Sequence, residues 1–169
     1  MAYKDPENTL ILETTKGNVA IELFPDLAPG HVERIKELAR EGAYDNVVFH
    51  RVIDGFMAQT GDVEYGKTDS AKFNAARAGM GGSSKPDLKA EFSNAKHVRG
   101  AASMARSQNP NSANSQFFIC FEDASFLDRQ YTVWGQVIEG MENVDKIKRG
   151  EPVRDPDVIL KAYVASDAE

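Results

Sequence analysis

Residues 9–24 read TLILETTKGNVAIELF. Apolar and polar positions alternate on both sides of Lys16-Gly17, the pattern of two half-buried strands joined by a tight turn. Glycine is the residue that takes the positive φ such a turn needs. The reading is a β-hairpin with strands at 9–15 and 18–24. Outward from it, six more β-like runs follow: 47–53 (VVFHRVI), 56–60 (FMAQT), 98–104 (VRGAASM), 115–121 (SQFFICF), 131–138 (YTVWGQVI) and 157–164 (DVILKAYV). Two stretches carry helical spacing. Pro29 opens the first, Val32, Ile35, Leu38 and Ala39 form its apolar stripe, and Gly42 lies past its end. Glu33, Arg34, Lys36, Glu37 and Arg40 form its opposite face, expected to meet solvent. The second helix is predicted over 140–149, where Met141, Val144 and Ile147 are three apart. Eight strands and two helices without regular β–α–β alternation predict a mainly β fold, an antiparallel barrel or sandwich with helices over its openings.

The chain has 169 residues, a net charge of −6 and 27% charged residues, an ordinary globular composition. At this length folding buries about 70% of the unfolded surface, enough for one core, so a single domain over 1–169 is expected. Cys120 is the only cysteine and cannot pair within the chain, which favours a reducing compartment. The opening MAYKDPENTLILETT lacks the basic start and apolar run of a secretory signal, so a cytoplasmic location is expected. No apolar run approaches the roughly 18 residues of a membrane span. An acidic chain without a basic stripe gives no reason to expect nucleic acid. No large apolar helix face argues for obligate assembly, so the chain is expected to be a monomer.

His31, His50 and His97 are scattered, and no pair has ligand spacing, so neither metal nor cofactor is expected. Cys120 sits in an apolar run and reads as a small buried hydrophobe. Ser103, in GAASMA, has no nucleophile motif around it. A hydrolase would need a Ser–His–Asp set gathered from distant positions. GMGGSSKP at 79–86 lacks the ending of a phosphate-binding loop and reads as a flexible surface loop. What remains is FHRVIDGFMAQTGD at 49–62, where Arg51 stands in an apolar strand and Phe56, Met57 and Gln59 follow. Downstream, Gln116 precedes Phe117 and Phe118, and Phe126, Leu127 and Tyr131 come next. By composition the aromatics fit a core, and Arg51 a surface charge with an ion-pair partner. Read functionally, they make an apolar pocket edged by one arginine and two amides. Such a site suits a small apolar group with an adjacent backbone to hydrogen-bond. Composition and spacing do not name that group.

These segments resemble a cyclophilin. FHRVIDGFMAQTGD is similar to that family's most distinctive stretch. SMA at 103–105, NPNSANSQFFICF at 109–121, FLD at 126–128 and VWGQVIEGMENVDKI at 133–147 follow in the family's order, and APGHVERIKELAREGAYDN at 28–46 also matches. The resemblance implies a closed eight-stranded antiparallel barrel capped by two helices. It also implies peptidyl-prolyl cis–trans isomerase activity on proline-containing polypeptides. By position, Arg51 resembles the catalytic arginine, and Phe56, Met57, Phe118 and Leu127 the wall of the proline pocket. Gln59 and Gln116 resemble the polar rim, and Ala105 with the backbone of Arg106 the strip that pairs with the substrate chain. Phe126 and Tyr131 stand where many eukaryotic members have Trp and His, as in bacterial cyclophilins. The missing indole implies weakened binding of the family ligand cyclosporin. Arg106 departs from a common Asn and Thr60 from a common Gly. The stretch 63–80 does not align, and 63–86 reads as a cover for the barrel rather than a gate. The rival reading is a binding module, in which the groove holds proline-containing segments and isomerisation is incidental.

Overall fold

The hairpin forms where the alternation places it. The structure is a computed structural model and describes residues 3–168. Strand β1 (Thr9–Thr14) pairs antiparallel with β2 (Gly17–Leu23), from Thr9 opposite Glu22 to Thr14 opposite Gly17. The loop is therefore Thr15-Lys16, one residue earlier than the sequence reading. Gly17 carries the positive φ, 124°, as the first residue of β2. A Cβ there would lie 2.6 Å from the side chain of Asn143, so the position excludes side chains twice over.

The other strands are β3 (Val47–Val48), β4 (Arg51–Ile53), β5 (Met57–Thr60), β6 (Ala101–Met104), β7 (Phe117–Cys120), β8 (Val133–Glu139) and β9 (Val158–Val164). One curled antiparallel sheet contains all nine, in the order β3-β9-β1-β2-β8-β6-β7-β5-β4. The sheet's two ends, β3 and β4, are halves of the single run 47–53. The run breaks at Phe49 and His50. Phe49 N–H donates to the Asp157 carbonyl at 2.9 Å, and the His50 carbonyl accepts from Val153 N–H at 3.1 Å. Counted as one bent strand, 47–53 gives the expected eight, and the two ends of the sheet meet along the chain.

Successive side chains of a strand point to opposite faces, and here both faces are buried. Phe117 and Ile119 join Leu10, Leu12, Ile21 and Trp134 in the interior cluster, while Phe118 and Cys120 join Met57, Leu127 and Val133 in a second cluster outside it. Helix α1 (Pro29–Arg40) packs Val32, Ile35 and Leu38 onto the interior cluster. The Glu91 carboxylate accepts from the N–H groups of Gly30 and His31 at its N-terminus, where the peptide dipoles favour an anion.

Two details depart from expectation. Arg34 is buried, not solvent-facing. Its guanidinium donates to the carbonyls of Pro86 (2.6 Å) and Asn114 (3.2 Å), tying two long loops to α1. The second helix, α2, spans only Met141–Val144. Beyond it, Lys146 and Ile147 bond three residues back, and the Asp157 carboxylate captures Lys148 N–H at 2.7 Å. Arg149 takes the carbonyls of Asp145 and Ile147. These competing partners end the helix a turn after it begins.

Candidate active site

Strand register builds the site. Arg51 of β4 is opposite Gln59 of β5, Gln59 is opposite Phe118 of β7, and Phe118 is opposite Ser103 of β6. This row runs across four strands on the face away from the interior cluster. Met57, two residues from Gln59, shares that face. The short 3-10 turn at Ser125–Leu127 and the segment reaching Tyr131 fold over the row's end. The result is an open cavity of about 360 Å3 lined by Arg51, Phe56, Met57, Gln59, Ala105, Arg106, Phe118, Phe126, Leu127 and Tyr131. All but one of the residues singled out from sequence are here. The exception, Gln116, lines an adjoining cavity of about 270 Å3 that shares Gln59, Ala105 and Arg106.

The apolar part is rigid by packing. Met57 and Phe118 are 1% and 5% exposed, whereas Phe126 is 65% exposed at the lip. Tyr131 meets Phe118 edge-on at 5.9 Å between centroids, and Phe56 lies 5.5 Å from Phe126.

The polar part is a chain of donors. Arg51 Nε donates to Glu151 Oε2 at 2.8 Å and Nη1 donates to Gln59 Oε1 at 3.3 Å. Gln59 Nε2 donates to Gln116 Oε1 at 3.1 Å. Gln116 Nε2 donates to the carbonyls of Gly79 and Gly81 at 2.9 and 2.8 Å. Each acceptor fixes the next amide's orientation, and the guanidinium is held at two corners. Its Nη2 has no hydrogen-bond partner among the described residues.

GMGGSSKP is not a loose loop. The buried Asp62 carboxylate accepts from the N–H groups of Glu64, Tyr65, Gly79 and Gly81 at 2.7–3.0 Å. Ser83 donates its N–H and hydroxyl to Asn114 Oδ1. Gly79 has a φ of 105°, and a Cβ there would sit 2.9 Å from the His50 ring. The end of the 63–86 stretch thus walls the second cavity, which goes beyond covering the barrel. Glu151, Asp62 and this wall were missed in the sequence. The pairing of Arg51 with Glu151 spans 100 residues, which no local spacing can signal.

Behind Phe118 the fold does assemble a serine, a histidine and an aspartate. Ser103 Oγ lies 2.9 Å from His97 Nε2, and His97 Nδ1 lies 3.0 Å from Asp128 Oδ1. Ser103 and His97 are 0% and 1% exposed, and Ser103 Oγ is also 3.1 Å from the Thr132 carbonyl. No substrate carbonyl reaches this hydroxyl. The set props the floor, with the His97 ring stacked 6.1 Å from Phe118. Burial holds the His97 pKa below its ordinary value, and the His97 N–H holds that of Asp128 down. Among the described residues no cluster of metal-ligating side chains occurs.

Comparison with known proteins identifies the family. The family described as cyclophilin type peptidyl-prolyl cis-trans isomerase/CLD matches residues 9–164. The chain belongs to the cyclophilin family. Its activity is that of the family, isomerisation of peptidyl-prolyl bonds. A probable peptidyl-prolyl cis-trans isomerase of Brucella suis is 61% identical, over 98% of this chain and 86% of that protein. Peptidyl-prolyl cis-trans isomerase B of Escherichia coli is 36% identical, over 91% and 97%. Among solved structures, the cyclophilin AquaCyp293 of Hirschia baltica superposes with a TM-score of 0.83 at 31% identity, over 96% of this chain and 76% of that one. A Cryptosporidium parvum cyclophilin crystallised in the presence of the dipeptide Ala-Pro superposes with a TM-score of 0.78 at 26% identity, over 92% and 98%. The cavity lined by Arg51 is on the outer face of the sheet, away from the interior cluster.

Proposed function

We propose that the Arg51 cavity turns X–Pro bonds without any covalent intermediate, in flexible or unfolded proline-containing segments, and that it assists folding in this way. Resonance gives the peptide C–N bond double-bond character and a rotation barrier of about 18–20 kcal/mol. Before proline the two isomers differ by only about 0.5–1 kcal/mol yet exchange in tens of seconds or longer. A catalyst must stabilise the half-rotated state more than either planar one. In that state the prolyl nitrogen regains a localised lone pair and accepts a hydrogen bond, which a planar amide nitrogen does poorly.

The observation that carries the proposal is the held guanidinium with an unoccupied Nη2 beside an apolar pocket. A charged hydrogen bond contributes about 1.5–3 kcal/mol. At 1.36 kcal/mol per tenfold this supplies roughly one to two orders of magnitude. The pocket of Phe56, Met57, Phe118 and Leu127 anchors the ring while the preceding segment rotates, and it excludes water that favours the polar planar amide. The Cryptosporidium cyclophilin's Ala-Pro condition is consistent with a prolyl ligand of this kind. The buried, unpaired Cys120 supports a reducing, cytoplasmic setting, and the chain would act there as a monomer.

Exchange between cis and trans peaks of a short X-Pro peptide at substoichiometric protein tests the reading. We expect Arg51→Lys, which keeps the charge but cannot span Glu151 and Gln59, to lower kcat/KM by about 10- to 100-fold with an unchanged Tm. Near-normal turnover would remove Arg51 from the mechanism. Peptide binding without exchange in the unaltered protein would favour a binding module.

A further inference from the structure

The two adjoining cavities hold a charge imbalance that bond rotation does not require. The chain carries 26 acidic and 20 basic residues, yet no carboxylate lines either cavity. Their charged lining residues are Arg51 and Arg106. Glu151 compensates Arg51 at 2.8 Å. Asp62 lies behind the second cavity's wall with its oxygens taken by four N–H groups.

Arg106 stands on the ridge that both cavities share. Its guanidinium lies 4.3 Å over the Tyr131 ring. Nη1 donates to the Ser107 carbonyl at 2.8 Å and Nη2 to the Gln130 carbonyl. These acceptors fix the group in place but are neutral. Five arginines, Arg34, Arg40, Arg51, Arg99 and Arg149, form ion pairs; among the described residues Arg77, Arg106, Arg129 and Arg154 form none, and of these four only Arg106 lines the two cavities. Its Nε is buried and has no partner among them. A pre-positioned, uncompensated cation beside a peptide groove favours a carboxylate and disfavours an ammonium through electrostatic complementarity.

We propose that Arg106 makes the enzyme charge-selective, favouring X–Pro segments with an aspartate or glutamate side chain close to the bond, on the flank that passes over the ridge into the second cavity. The proposal rests on the reading of the first cavity as the X–Pro site and adds its preferred substrate class.

The test uses peptides with one X–Pro bond and Glu, Gln or Lys scanned over three positions on each side. Exchange spectroscopy gives kcat/KM, and a titration of the protein's amide signals gives Kd. At one or two positions on one flank, kcat/KM should fall in the order Glu, Gln, Lys, with about tenfold between the extremes. Tenfold corresponds to about 1.4 kcal/mol, divided between an attraction and a repulsion each the size of an exposed ion pair. Arg106→Gln should bring the Glu-to-Lys ratio below twofold, Arg106→Lys should preserve most of it, and 0.5 M salt should compress it in the unaltered protein, ~3 Å being the screening length near 1 M. A ratio below twofold at every position, or one that survives in Arg106→Gln, overturns the proposal. Absence of exchange with any peptide would overturn the isomerase reading instead. The Kd ratio for Glu and Lys peptides then still decides the charge preference.

Discussion

Arg51 fits both descriptions that the sequence allowed. It is a partly exposed charge with an ion-pair partner, Glu151, and it lines an apolar cavity. The combination is what matters, because an exposed ion pair alone contributes about 0–1 kcal/mol of stability and is no reason to place arginine between His50 and Val52 in an otherwise apolar run. Phe126 is the informative departure at the lip. At 65% exposure it offers a ring face next to Phe56 but no N–H. The family resemblance implies an indole donor to a bound cyclic peptide at this position, and a phenyl ring supplies no such donor. A single net hydrogen bond is worth about 1 kcal/mol, so Phe126→Trp should tighten cyclosporin binding about fivefold, measured by calorimetry. No gain would show that the lip residue does not set this affinity.

Register does at the level of elements what no single residue does. Pairing Arg51 with Gln59 and Gln59 with Phe118 puts three residues spread over 68 positions into one row. The second cavity depends in the same way on one carboxylate. Asp62 Oδ1 closes the turn at Glu64 and Tyr65, and Oδ2 holds Gly79 and Gly81. In Asp62→Asn the amide oxygen can keep the turn, but an NH2 group then faces two N–H donors. Bonds to a charged acceptor are worth about 1.5–3 kcal/mol, so a loss near 3 kcal/mol is expected in urea unfolding. Amide exchange should speed at Gly79 and Gly81 while Glu64 and Tyr65 stay protected. Uniform protection would mean that the wall stands without Asp62. This explains what was legible in sequence. Strand positions and pocket residues are written in local alternation and in short motifs. The 79–86 wall and the Glu151 contact are held by single long-range bonds, which leave no periodic trace, so a structured wall read as a flexible loop. Arg34 was misplaced for the same reason, since its partners are distant backbone carbonyls.

For the whole molecule, the three histidines are buried and none serves a metal or a reacting proton in the proposed mechanism, yet their burial makes stability depend on pH. Burial lowers the pKa of His31 and His97 and brings that of His50 to about 4, and neither ring nitrogen of His50 has a partner among the described residues. An unfolded histidine takes up its proton near pH 6.5. Between about pH 6.5 and 4 the unfolded chain therefore binds more protons than the native one, and stability rises with pH across that window. It is fully present above about pH 7 and is lost as the pH falls. By linkage His50 alone costs about 2 kcal/mol at pH 5 relative to pH 7.5. Urea unfolding at pH 7.5, 6 and 5 should show this loss, larger where His31 and His97 add to it, and His50→Gln should flatten the slope by about His50's share. The isomerase rate should behave differently. The proposed step moves no proton, so kcat/KM should stay level from about pH 7 to 8.5. A bell-shaped profile there would point to a titrating catalytic group and away from a guanidinium acting through its fixed charge.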